Sequence, residues 1–218
     1  KFNHKLIFTG QNFSEELSKN FFKNFGIKPD ISLKIKNNNF SQSVSELFFK
    51  INKVLDDFKP DAFFVLGDTN SALASIIAKK KKIPVFHYEA GNRSFDDRVP
   101  EEINRKIVDN TADINLTYSN VAKQNLINEG FSCDKIFNVG SPLKEVFKAN
   151  YKNISKNNIL KKLKLIKNKY ILLSLHREEN LENKENISKI IKSLNAISNK
   201  LKKNIIFSVH PRTKKKIK

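Results

Sequence analysis

Between positions 87 and 106 the chain reads HYEAGNRSFDDRVPEEINRK. This places Glu89, Asp96, Asp97, Glu101 and Glu102 among Arg93, Arg98 and Arg105, in a protein whose formal net charge is +19. Carboxylates beside arginines can accept and return protons while the cations hold an anion. A solvated loop running into a helix explains most charge runs of this kind, so position has to decide. Glu89 follows the apolar run IPVF, at the end of a predicted strand, and Pro100-Glu101-Glu102 reads as the first turn of the next helix. Strand ends and helix starts are where ligands bind in open α/β sheets.

Other predicted strands end in the same way. Gly67-Asp68-Thr69 closes AFFVL, although Asp68 taken alone is explained by capping the helix behind it. His87 and Glu89 are two apart in a strand and should face one side. Two such ligands are too few for zinc, and no metal is expected. Glu101 and Glu102 suit the positive end of a helix, and the flanking arginines can pair with them. His176-Arg177-Glu178 closes YILLSL, and His210-Pro211-Arg212 closes IIFSV. Four strand ends finishing in ionisable residues point to a cleft that binds an anion and moves protons. Cys133 has no histidine near it in sequence, and neither GxxxxGK[ST] nor GxGxxG occurs, so no nucleotide cofactor is expected.

The elements that must hold these residues alternate from residue 41 onward, which predicts an α/β fold on parallel strands. SQSVSELFFKINKVLDDF puts Val44, Leu47, Phe48, Ile51, Leu55 and Phe58 on one helical face, with Ser43 and Glu46 as a capping box. AFFVLGD, IPVFHYEAG, INLTYS and KIFNVG follow as strands, separated by helices, one of them with Pro100 at its start. The lysine- and asparagine-rich stretch 151–169 reads as a linker. Residues 1–150 then form a Rossmann-like domain lacking its first strand, and 170–218 open a second, incomplete one. The sequence reads as a fragment.

Lysine far outnumbers arginine and is scattered with asparagine and isoleucine, a genomic bias more than a binding face. Nucleic acid is therefore not an expected partner. The apolar runs are strand-sized, so no membrane span is expected. A single cysteine fits a reducing compartment, hence the cytoplasm.

GDTNSALASIIA, HYEAGNRSFDDRVPEEINRKIVDNTADINLTYS, NVGSP, SLHREEN and SVHPR, in this order, resemble the non-hydrolysing UDP-N-acetylglucosamine 2-epimerase family over nearly the whole chain. The resemblance implies two Rossmann-like domains in a glycosyltransferase-B arrangement, a UDP-sugar in the cleft, and a cytoplasmic homodimer. It also implies inversion at C2 by elimination and re-addition of UDP. By that resemblance Asp68, Glu89 and Glu101 would be the acid/base set and His176 a contact to the diphosphate. The cations expected to bind substrate in the cleft are Arg93, Arg105, His210 and Arg212. Which carboxylate serves which face of C2 stays open.

EAGNR and the compact SFDDRVPEE replace the Leu after EAG and the longer insert of the glucosamine enzymes. They resemble the branch acting on UDP-2-acetamido-2,6-dideoxy-L-hexoses, which makes UDP-N-acetyl-L-fucosamine or its L-quinovosamine analogue. The family's GTRPE loop and its uridine site lie outside these residues. The competing readings are a UDP-N-acetylglucosamine 2-epimerase giving UDP-N-acetylmannosamine, a glycosyltransferase-B sugar transferase, the hydrolysing relative, and a catalytically silent basic binding fragment.

Overall fold

Strands and helices alternate through the computed structural model, which describes residues 2–10, 19–36, 39–175 and 184–209. The order is β1 (Ile7–Phe8), α1 (Lys19–Phe25), β2 (Ile31–Ser32), α2 (Phe40–Phe58), β3 (Phe63–Leu66), a 3-10 turn (Asn70–Ala74) running into α3 (Ser75–Lys80), β4 (Val85–Ala90), α4 (Pro100–Thr111), β5 (Ile114–Thr117), α5 (Asn120–Asn128), β6 (Ile136–Asn138), α6 (Leu143–Ser155), α7 (Ile159–Lys162), β7 (Tyr170–Ser174), α8 (Lys184–Leu201) and β8 (Asn204–Ser208). The chain divides into two compact units, Lys1–Val146 and Phe147–Lys218.

In the first unit β3, β4, β5 and β6 lie side by side in chain order, and every pairing is parallel. A parallel partner can be reached only by a crossover, which a helix supplies in each gap. β1 and β2 form a separate parallel pair, extended by bonds from Leu33 N to Phe8 O and from Ile35 N to Thr9 O. The second unit pairs β7 with β8, also parallel, with α8 between them in sequence. The α/β class read from the alternation is the class observed. Among the described residues no helix is long and apolar enough to cross a membrane.

The core of the first unit gathers Leu47, Ile51 and Leu55 of α2 with Leu33, Ile35, Val65, Leu73, Ala78, Val85 and Val108. Each fully buried leucine or isoleucine contributes about 2 kcal/mol relative to exposure. The apolar stripe of α2 is narrower than its sequence suggests, since Val44 and Phe48 are only partly buried and Phe58 is 36% exposed.

The predicted capping box is not formed. Asn39 is the N-cap and accepts from Gln42 N at 2.9 Å. Ser43 lies inside the helix, buried, and its hydroxyl donates to Lys36 O, while the Glu46 carboxylate accepts from Lys36 N. Both residues therefore fasten the incoming segment to the helix. The stretch read as a linker carries the end of α6 and all of α7.

Candidate active site

Two neighbouring strands of the first unit end in turns that face each other. After β3, Gly67 adopts φ +73° and its N–H donates to Tyr88 O at 2.9 Å, one step beyond the ladder. Asp68 follows at once, its backbone carbonyl held by Asn104 Nδ2 at 2.9 Å. In β4 the register against β5 shifts between Tyr88 and Ala90, and Glu89 itself has φ +73°. A Cβ added at Gly67 would stand 3.5 Å from Glu89 Oε2, in ordinary contact, so the positive φ and not lack of space is what favours glycine here.

That register shift corrects one expectation. Alternation in a regular strand would set His87 and Glu89 on one side, but the bulge breaks it. His87 is fully buried, whereas the Glu89 side chain is 29% exposed.

The third element is α4, whose packing inverts the usual pattern. Its buried residues are Glu102, Asn104, Arg105, Val108 and Asp109, while Ile103 and Ile107 are exposed. Spacings of three, four and seven put Glu102, Arg105 and Asp109 on one face. Such a face is tolerable only if each charge finds a partner. Arg105 finds two. Nη2 donates to the Asp68 carboxylate, and Nη1 donates to Glu89 O at 2.6 Å and lies 3.4 Å from Glu89 Oε1. One guanidinium thus offsets the mutual repulsion of two carboxylates.

Tyr118, directly after β5, completes the cluster. Burial pushes its phenol up to about 12, and the charge of Glu89 adds to the shift, with Tyr88 also raising it and Arg105 opposing. Its ring meets that of Tyr88 edge-on at 5.0 Å, and the Tyr88 hydroxyl donates to Gly140 O. At the carboxyl ends of these strands the two carboxylates can exchange protons with a ligand, while the guanidinium and the phenol can donate hydrogen bonds.

The remaining candidates fall elsewhere. Glu101 is exposed in the first turn of α4, and no hydrogen bond or ion pair among the described residues joins it to Asp68 or Glu89. Its neighbour Glu102 is the buried one, accepting from Ser94 N and Ser94 Oγ, with Lys106 Nζ at 3.7 Å from its other oxygen.

Arg93 corrects a further expectation. Its side chain has no exposed surface and pairs with Asp109 at 2.7 Å and with Glu129 at 2.5 Å, so its guanidinium is engaged in the interior. Burial opposes its charge, but Glu129 and Asp109 outweigh that and raise its pKa. His176, His210 and Arg212 lie outside the described residues. Among the described residues no group of three or more His, Cys, Asp or Glu is placed to hold a metal ion.

Parallel strands whose carboxyl ends gather carboxylates around an arginine define an α/β protein with a polar cluster where ligands bind in folds of this class. A model of one family, UDP-N-acetylglucosamine 2-epimerase, matches residues 1–218, and the chain belongs to that family. A UDP-N-acetylglucosamine 2-epimerase of Methanococcus maripaludis is 42% identical over 217 residues, covering 97% of this chain and 59% of the relative. A UDP-2,3-diacetamido-2,3-dideoxy-D-glucuronate 2-epimerase of Pseudomonas aeruginosa is 36% identical over 96% of this chain and 59% of its own length. The crystal structure of Methanocaldococcus jannaschii UDP-GlcNAc 2-epimerase in complex with UDP-GlcNAc and UDP superposes with a TM-score of 0.87. It is 38% identical, over 98% of this chain and 60% of that one. The chain therefore spans about three fifths of the length of the relatives it matches.

Proposed function

We propose that the whole protein is a non-hydrolysing UDP-sugar 2-epimerase, and that Asp68 and Glu89 belong to its acid/base machinery. The observation that carries this reading is the Arg105 fork, which gathers both carboxylates at adjacent strand ends.

The chemistry asks for such a cluster. Hydrogen at C2 of an N-acetyl sugar is poorly acidic, so the C1–O bond to the diphosphate breaks first and its electron pair leaves with UDP. A carboxylate then takes the C2 proton, and the C–H pair forms the C1=C2 bond of a glycal. Proton delivery to the opposite face of C2 and return of UDP to C1 complete the inversion. Glu101 is retained as a third candidate acid, with His176, His210 and Arg212 proposed at the diphosphate or the sugar. The whole protein is proposed to be a cytoplasmic homodimer with its second domain starting near Tyr170.

For the substrate, the EAGNR and SFDDRVPEE pattern supports a UDP-2-acetamido-2,6-dideoxy-L-hexose, and the Pseudomonas relative's name shows that the family is not confined to glucosamine. A second reading, UDP-N-acetylglucosamine, is favoured by the names of the Methanococcus relative and the Methanocaldococcus complex. Assay of the full-length protein with each UDP-sugar in heavy water tests both. Solvent deuterium is expected at C2 of the product, with the dideoxy-L-hexose turned over fastest. Glu89→Gln is expected to cut turnover by about a hundredfold or more. Product without deuterium at C2 and near-normal turnover in the Gln variant would overturn the mechanism.

A further inference from the structure

His87 is fully buried, and both nitrogens of its ring meet oxygen. Nε2 lies 2.9 Å from Gly67 O, a carbonyl that can only accept. Nδ1 lies 2.8 Å from Asp109 Oδ1. That carboxylate is already surrounded by donors: Arg93 Nη2 is 2.7 Å from Oδ2, and the Gly91 N–H reaches both oxygens at 3.3 Å. Toward these donors the carboxylate acts only as an acceptor.

A neutral imidazole has one donor and one acceptor. Whichever tautomer it took, it would aim a lone pair at one of these two oxygens, and a buried acceptor left facing a lone pair is costly. Charge leads to the same answer. Glu129, Arg93, Asp109 and His87 form a connected run in which the side chains of Arg93, Asp109 and His87 have no exposed surface. Counting the partly exposed Glu129, the run holds two anions and one cation with a neutral ring and balances with an imidazolium. The ring's partners and the charges behind them come from several elements: Gly67 O after β3, Arg93 in the loop between β4 and α4, Asp109 on α4 and Glu129 just after α5. Asn115 on β5, the strand partner of His87, donates through Nδ2 to Asp109 O at 3.2 Å.

We propose that His87 carries a proton on both ring nitrogens and is a positioning residue for the two carboxylates of the site. Gly67 immediately precedes Asp68, and Gly91, bound by Asp109, lies two residues after Glu89. One buried cation therefore draws both turns together and fixes the spacing at which Arg105 bridges them. The positioning role rests on the acid/base reading of Asp68 and Glu89, whereas the protonation state does not.

The test is long-range 1H–15N correlation of the labelled 218-residue chain at about pH 7.5, above the ordinary histidine range, with His87 assigned by its loss in His87→Gln. Both ring nitrogens should show the shifts of protonated nitrogens, with slowly exchanging N–H protons. In Asp109→Asn the side-chain amide can donate to Nδ1, and that nitrogen should move to the unprotonated position. One unprotonated nitrogen in the wild-type spectrum overturns the protonation state, whatever the variants do.

The positioning role is read in the full-length enzyme, where His87→Gln should lower kcat by ~tenfold or more with KM within about twofold. Unchanged kcat beside a doubly protonated ring overturns positioning alone. A wild-type enzyme with no epimerase activity overturns the acid/base reading and the positioning role built on it, and leaves the spectrum to decide His87.

Discussion

Arg105 on α4 donates through Nη2 to the Asp68 carboxylate, joining residues 37 positions apart across the ends of two elements. Both side chains are largely buried, at 9% and 21% exposure, so little solvent screens the pair. Arg105→Gln is expected to lower stability by ~3 kcal/mol in urea unfolding. A double-mutant cycle with Asp68→Asn should give a coupling of ~1–3 kcal/mol. A coupling near zero would mean that the arginine is held by Glu89 alone.

Tyr118 gives a pH reporter for the same cluster. Its raised phenol pKa means that the folded state holds the proton more tightly than the unfolded chain does. The associated stability is complete below the ordinary tyrosine range near 10 and is lost as pH rises toward about 12. Phenolate absorbance should show one late step that disappears in Tyr118→Phe. Glu89→Gln should move that step to lower pH, because the Glu89 charge is the second cause of the shift after burial.

Gly91 tests how tightly the turn after β4 is packed. It has φ +73°, and an added Cβ would collide with Ala122 O and stand 2.9 Å from Leu126 Cγ. Gly91→Ala should cost ~3 kcal/mol or more, combining left-handed strain with overpacking. Gly130 also has positive φ but open space around it, so Gly130→Ala should cost only about 1–2 kcal/mol. Thermal melts of the two variants give the contrast directly.

At the start of α2, Asn39→Ala should cost ~1 kcal/mol, as loss of an N-cap does. Fraying should then be visible as faster amide exchange at Gln42.

The parts of this molecule that follow short-range rules were readable from residues alone. Pro100 does open α4, and FFVL, VFHYEA, INLT and IFN are strands. Asp68, Glu89 and Arg105 were singled out because they sit at strand ends and in a helix turn, and the structure joins all three. What escaped depends on partners distant in sequence. Arg93 looked like a free cation because Asp109 and Glu129 are 16 and 36 residues away. Tyr118 carried no signal of its own, since only the pairing of β4 with β5 brings it beside Glu89. The bulge at Glu89 could not be read from side-chain alternation, which assumes the regular strand that the bulge interrupts.

Glu89 occupies a backbone conformation that penalises any residue with a Cβ by about 1–2 kcal/mol. Glycine would relieve the strain there, so folding and the proton transfer proposed for Glu89 pull position 89 in opposite directions. A library randomised at that codon and sorted only for protease resistance should drift away from glutamate, whereas one sorted for epimerisation should retain it. If Glu89 has the acid/base role proposed for it, thermostabilising redesign left unconstrained would select against the very residue that moves the proton.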